Sequence, residues 1–171
     1  MLETQSVPAD SGSQRLIQWL GYLGLIPFIV PAIGMLQAKL TGPGLQAASI
    51  GGFYAPYVFV AYSAVILSFL SGVLWGKARQ SMTSDKTNML LITSNIISVL
   101  AWVSLLMIYI SPLMMLFAVT ILLCGYATML LAEFSIDADY ESVSYWRLRL
   151  LLTVSVIAAH SLILVLLIGD L

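Results

Sequence analysis

Five apolar runs constrain this chain more than any other feature: 16–38, 54–75, 89–109, 113–132 and 148–168. Their interiors carry no Lys, Arg, Asp or Glu. A hydrocarbon core about 30 Å thick is crossed by about 20 apolar residues in a helix. None of the runs shows the polar/apolar alternation of a barrel strand. In lipid the backbone must satisfy its own hydrogen bonds, so unbroken runs of this length read as helices. The expected fold is all-α: a polytopic membrane protein built as a bundle of five transmembrane helices.

Composition points the same way. Sixty per cent of the 171 residues are hydrophobic, and only 7 basic and 8 acidic residues are present. A soluble domain is about 45–50% apolar and about 25% charged. A soluble fold of this size leaves about a third of its unfolded surface exposed and could not hide so much oil. An ordinary cytosolic globule, a disordered chain and a basic nucleic-acid binder are excluded. The net charge of −1 offers a polyanion no attraction. The single cysteine, Cys124, rules out a disulfide framework. It falls mid-helix, where a thiol behaves as a small hydrophobe.

Local chemistry sets the boundaries. Residues 1–14 read as a polar tail and 15–171 as a single five-helix domain. The first run is too long for the apolar core of a signal peptide, and no small-residue cleavage site follows it. Thr41-Gly42-Pro43-Gly44 ends the first helix. A polar turn is expected at 81–87. Ser111-Pro112 leaves almost no loop, which makes the third and fourth spans an antiparallel hairpin with Pro112 in the first turn of the fourth. The longest connection on the N-terminal side is 133–146, with Glu133, Asp137, Asp139 and Glu141; it reads as a solvated loop too short to form a domain. Pro27 and Pro31, flanked by Gly21, Gly24 and Gly34, predict a bent or partly broken first helix. Such a break serves either packing or substrate binding by freed carbonyls. With no matching broken helix elsewhere, packing is favoured.

Orientation follows from the basic residues. Arg15, Lys77, Arg79, Lys86, Arg147 and Arg149 fall on the N-terminal side, and Lys39 alone on the other. Basic residues near helix ends stay in the cytoplasm. The expected location is a bacterial inner membrane, with the N-terminus cytoplasmic and the C-terminus periplasmic. Lys77, Arg79, Arg147 and Arg149 are expected to meet lipid phosphates and fix this topology. Tyr54, Tyr57, Trp75, Tyr109, Tyr145 and Trp146 lie near span ends and read as headgroup-level anchors.

Polar chemistry inside the spans is sparse. Ala64, Ser68, Gly72 and Gly76 recur every four residues and form a small-residue ridge suited to helix packing, within the bundle or between copies. Ser94, Asn95 and Ser98 line the third span, near Trp102. A carboxamide facing hydrocarbon would be unpaired, so Asn95 is expected to point into the bundle, within reach of Ser68 and Ser71. His160 is the one ionisable side chain deep in a span apart from Tyr and Cys. It is either a satisfied structural residue or a functional one. The candidate intramembrane polar residues are therefore His160, Asn95, Ser68 and Ser71. No catalytic, cofactor-binding or metal-ligating set is recognised.

Several blocks carry a family resemblance. Residues 20–28 (LGYLGLIPF) resemble an opening "LG..GLIPF" element. Residues 62–76 (YSAVILSFLSGVLWG) resemble the more specific "Y.A.ILSFLGG..WG". Residues 94–102 resemble the next block, and Leu148-Arg149 with Leu152-Thr153 the last, "LR..LT". These belong to a domain-of-unknown-function family of small bacterial inner-membrane proteins, related to eukaryotic transmembrane protein 69. Three positions depart from the pattern: Ser71 for glycine, Ile97 for proline and Ser144 for tryptophan. The resemblance implies a five-helix inner-membrane protein and no reaction. The expected role is a non-enzymatic accessory, assembly or scaffold protein. It would act through lipids and a membrane-protein partner or self-association, with no nucleic acid and no cofactor. The alternative is a small transporter or channel for a weakly polar solute or protons.

Overall fold

The computed structural model describes residues 11–81, 84–111, 113–135 and 143–169. Among them the helices are α1 (Ser11–Leu23), α2 (Ile26–Leu40), α3 (Ala55–Ser81), α4 (Ser84–Ile110), α5 (Met114–Ser135) and α6 (Val143–Ile168). Taking α1 and α2 together, five segments are long and apolar enough to cross a membrane. The fold is the expected all-α bundle. The helices outrun the apolar runs: α3 continues to Ser81 and α4 begins at Ser84, so Thr87 is helical rather than part of a turn. Glu133, Tyr145 and Trp146 likewise lie in helices, and α1 already begins at Ser11. Asp137, Asp139, Glu141 and Pro112 lie outside the described residues.

The first span breaks at Gly24-Leu25, as its prolines predict. Pro27 opens α2 in its first turn, where a missing N–H costs nothing, so only Pro31 is interior. The Tyr62 hydroxyl of α3 donates to the Gly24 carbonyl at 3.0 Å. A carbonyl at the break is thereby satisfied from inside the protein.

Beyond α2, Thr41 caps the helix and Gly42 takes φ 101°. A short hairpin follows, pairing Ser49 with Tyr54 and Ile50 with Phe53. Gly51 and Gly52, at φ 56° and 85°, form its turn. Both central residues need positive φ, a demand glycine meets without strain. This hairpin is not among the sequence expectations, although a Gly-Gly pair between short runs is a hairpin signal. Burial raises the pKa of Tyr54 above its ordinary value.

Consecutive spans run antiparallel, and contacts tie both ends of the bundle. At one end Tyr57 of α3 meets Tyr109 of α4 edge-on, with centroids 5.5 Å apart. Lys39 donates from its Nζ to the Leu166 carbonyl at 2.9 Å. A cation there is favourably placed against the carbonyls ending α6. At the other end Arg149 of α6 pairs with Glu133 of α5, both largely buried. Phe134 meets Trp146 at 5.8 Å beside them.

The core runs along α2 to α6, where Phe28, Met35, Phe59, Leu67, Leu122, Tyr126 and Ile163 are among its largest fully buried side chains. In lipid, close packing must replace the hydrophobic drive between helices. Gly125 shows how: a Cβ there would lie 2.5 Å from Leu67 Cδ2, so the missing side chain lets α5 close on α3. By contrast α1 is mostly exposed, meeting α6 where Gly21 faces Leu148 and Leu152.

Candidate functional site

His160 occupies the middle of the bundle, where α2, α3, α5 and α6 converge. It is wholly buried. Its Nδ1 lies 2.8 Å from the Val156 carbonyl and its Nε2 lies 2.7 Å from Ser63 Oγ. A carbonyl only accepts, so Nδ1 carries the proton and donates. Nε2 then presents a lone pair, and the Ser63 hydroxyl donates to it. Both ring nitrogens are satisfied in the neutral form. The Tyr126 hydroxyl donates to the Ser63 carbonyl at 2.9 Å, tying α5 to the same point.

Aromatic rings enclose the imidazole. Phe59 stands 4.8 Å away, Tyr126 5.2 Å and Phe28 5.9 Å, centroid to centroid, all tilted. Phe28 also packs edge-on against Phe59, Tyr62 and Tyr126. The break in the first span brings Phe28 here, because Tyr62 holds Gly24 four residues before it.

The order of bonds, serine to imidazole to acceptor, is that of a base-activated serine. Access differs, because Ser63 and His160 are both fully buried. Among the described residues no group of three His, Cys, Asp or Glu side chains is placed to hold a metal ion.

A second cluster joins α3 to α4. The Ser71 hydroxyl donates to the Ser68 carbonyl at 2.8 Å. That uses its single proton, so the Ser98 hydroxyl 2.5 Å away donates to Ser71. Ser94 and Ser104 are buried in the same helix seam and donate back to the Leu91 and Ala101 carbonyls. Ser71, the departure from the family glycine, is thus a bonding residue. Ile97, the departure from proline, is buried in a helix that runs unbroken.

Asn95 is not where the sequence reading put it. It is exposed on the outer face of α4, with Nδ2 donating to the Leu91 carbonyl at 2.8 Å. The buried stripe of α4 is Leu90, Ser94, Ile97, Ala101 and Ser104. Position 95 stands about 100° round the helix from 94 and falls outside that stripe. The expected contact with Ser68 and Ser71 is not made; Ser98 takes that place.

The small-residue ridge is corrected as well. Ala64 is buried, but Ser68 is half-buried and a Cβ on Gly72 or Gly76 would meet nothing within 4 Å. The inner face of α3 carries Val60, Ser63, Ala64, Leu67, Ser71, Leu74 and Ala78 instead. Four-residue steps drift round a helix of 3.6 residues per turn, so a ridge that starts inside ends outside. Of the basic residues, Arg147 is exposed and Lys77 half-buried. The exposed Arg79 stacks over Trp75 at 5.0 Å. Arg149 pairs with Glu133, with Tyr145 beneath its guanidinium at 5.9 Å.

Residues 13–166 match DUF3429, a family described as protein of unknown function. The chain belongs to that family. The DUF3429 match takes in all five spans almost to the end of α6. The chain is also similar to transmembrane protein 69 of Xenopus tropicalis, 36% identical over 92 residues. That stretch is 52% of this chain and 31% of the relative, so the chain accounts for about a third of the relative's length. No solved structure matches.

Sequence reasoning isolated His160 but missed its surroundings. Ser63, Phe28, Phe59 and Tyr126 carry no distinguishing spacing, and their meeting depends on how four helices are rotated. Lys39 and Glu133 each carried a usable signal: a lone charge within one turn of an apolar run, where a helix end or an opposite charge is the nearest partner.

Proposed function

We propose that this DUF3429 protein is a non-enzymatic accessory, assembly or scaffold subunit of an inner membrane, acting through helix contacts with membrane partners. Its N-terminus would lie in the cytoplasm and its C-terminus in the periplasm, because six basic residues gather at one end of the bundle and Lys39 stands at the other. One observation carries the reading. Ser63, Ser71, Ser94, Ser104, Tyr126 and His160, all buried within the spans, bond to one another or to backbone carbonyls inside the protein, while Asn95 is turned outward. Chemistry turned inward holds the bundle together; chemistry turned outward meets a neighbour.

Purification at native expression in mild detergent, with lipids retained, tests this. A stoichiometric membrane partner, or a defined self-assembly, is the expected result. Recovery of lone monomers refutes it. Reporter fusions at both termini test the orientation, with the two ends expected in different compartments.

Transport of a weakly polar solute or of protons is the second reading, favoured by one titratable group, His160, midway through the bundle. Reconstituted vesicles in which wild type and His160→Ala plus Asn95→Ala give equal flux would eliminate it.

A further inference from the structure

We propose that the outer face of α4 is a self-association surface, on which Asn95 of one copy pairs with Asn95 of a second copy of this chain. The inference rests on the partner-binding reading above and specifies the partner.

Asn95 lies about 14 Å along the helix from Lys86 and about 22 Å from Ile110, at 1.5 Å per residue. That places it within the hydrocarbon. A carboxamide has two N–H donors and an oxygen acceptor. One N–H bonds to the Leu91 carbonyl. The other N–H and the oxygen face outward at a depth where lipid tails offer no partner. A neighbour that covers this face must present both a donor and an acceptor at the same depth.

A second copy meets that demand by symmetry. Insertion gives every copy the same orientation and depth, so two α4 helices meeting about a two-fold axis along the membrane normal run parallel and in register. Asn95 then faces Asn95, and a carboxamide complements itself. The rest of the face fits the same packing. Ile92, Val99 and Leu106 recur every seven residues, and Asn95 and Trp102 form the companion row; all are exposed. Alternating three- and four-residue steps are the spacing of a left-handed helix pair, and one polar residue in such a seam sets its register. No charged residue interrupts the stretch from Ile92 to Leu106. The bond between Ser71 and Ser98 also sets Gly72 and Gly76 of α3 near the depth of Asn95, and a Cβ on either would meet nothing within 4 Å.

The test uses the full chain in liposomes and in native membranes, with Cys124→Ser as background. Val99→Cys should form an oxidative dimer, whereas Val165→Cys, at a still more exposed position on α6, should not. Asn95→Val should weaken dimerisation, read by single-molecule photobleaching, by about tenfold. Asn95→Gln should restore most of it. Unchanged melting of Asn95→Val would show that the bundle stays folded. Equal cross-linking at positions 99 and 165, or an association constant indifferent to Asn95→Val, overturns the proposal. A monomer that instead holds a different membrane protein, released by Asn95→Val, overturns self-association and leaves the partner reading standing. A monomer that holds nothing removes both.

Discussion

The centre of the bundle and the outer face of α4 use polar side chains in opposite ways. Around His160, every polar group named has its partner inside the protein, and three rings close over it. On α4, Asn95 satisfies one N–H through its own helix and carries the remainder to the surface. Both residues lie in helices of similar length and apolarity. What separates them is rotation about the helix axis. In lipid an unpaired polar group is costly wherever it sits, so the inner group stabilises the fold and the outer one demands a neighbour.

The contrast is easiest to break at His160. His160→Ala should empty the aromatic box and leave the Ser63 hydroxyl without its acceptor, lowering bundle stability by about 3 kcal/mol. Thermal unfolding in detergent reads this, and Asn95→Ala in the same assay should cost less than about 0.5 kcal/mol. Equal losses would abolish the distinction. Tyr62→Phe comes next. It removes the donor to the Gly24 carbonyl while keeping the ring beside Phe28, at a cost of about 1–2 kcal/mol. Increased proteolysis near Gly24 in the folded protein would be the accompanying sign.

Smaller effects sharpen the comparison. Ser98→Ala should cost about 0.6 kcal/mol, the usual worth of a hydrogen bond between membrane helices. A loss above that of Tyr62→Phe would move the structural centre from His160 to the seam between α3 and α4. The smallest pair concerns glycines. Gly125→Ala pushes a methyl onto Leu67, whereas Gly72→Ala meets open space. The first should lower the melting temperature and the second leave it unchanged, or raise it slightly through helix propensity. Gly72→Ala reducing stability of the monomer would show that the outer face of α3 is packed.

The number of spans and the break in the first of them were legible because each depends on local properties: apolar length, prolines and the glycines around them. Periodicity also showed which residues share a helix face. It did not show which face looks inward, because in a membrane helix both faces are apolar. That is why Asn95 was assigned to the interior and lies outside, and why periodicity left the small-residue ridge open between packing within the bundle and packing between copies, while its Gly72–Gly76 end faces open space. It is also why Ser63, with nothing to mark it among the serines of α3, is the one that reaches His160.

The chain by itself determined a five-span membrane bundle, since transfer into lipid depends on composition and length alone. Only the tertiary structure decided that His160 would be enclosed, that Ser98 rather than Asn95 would meet Ser71, and that Arg149 would turn to Glu133. Those outcomes rest on the mutual rotation of packed helices, which contacts far apart in the sequence settle together.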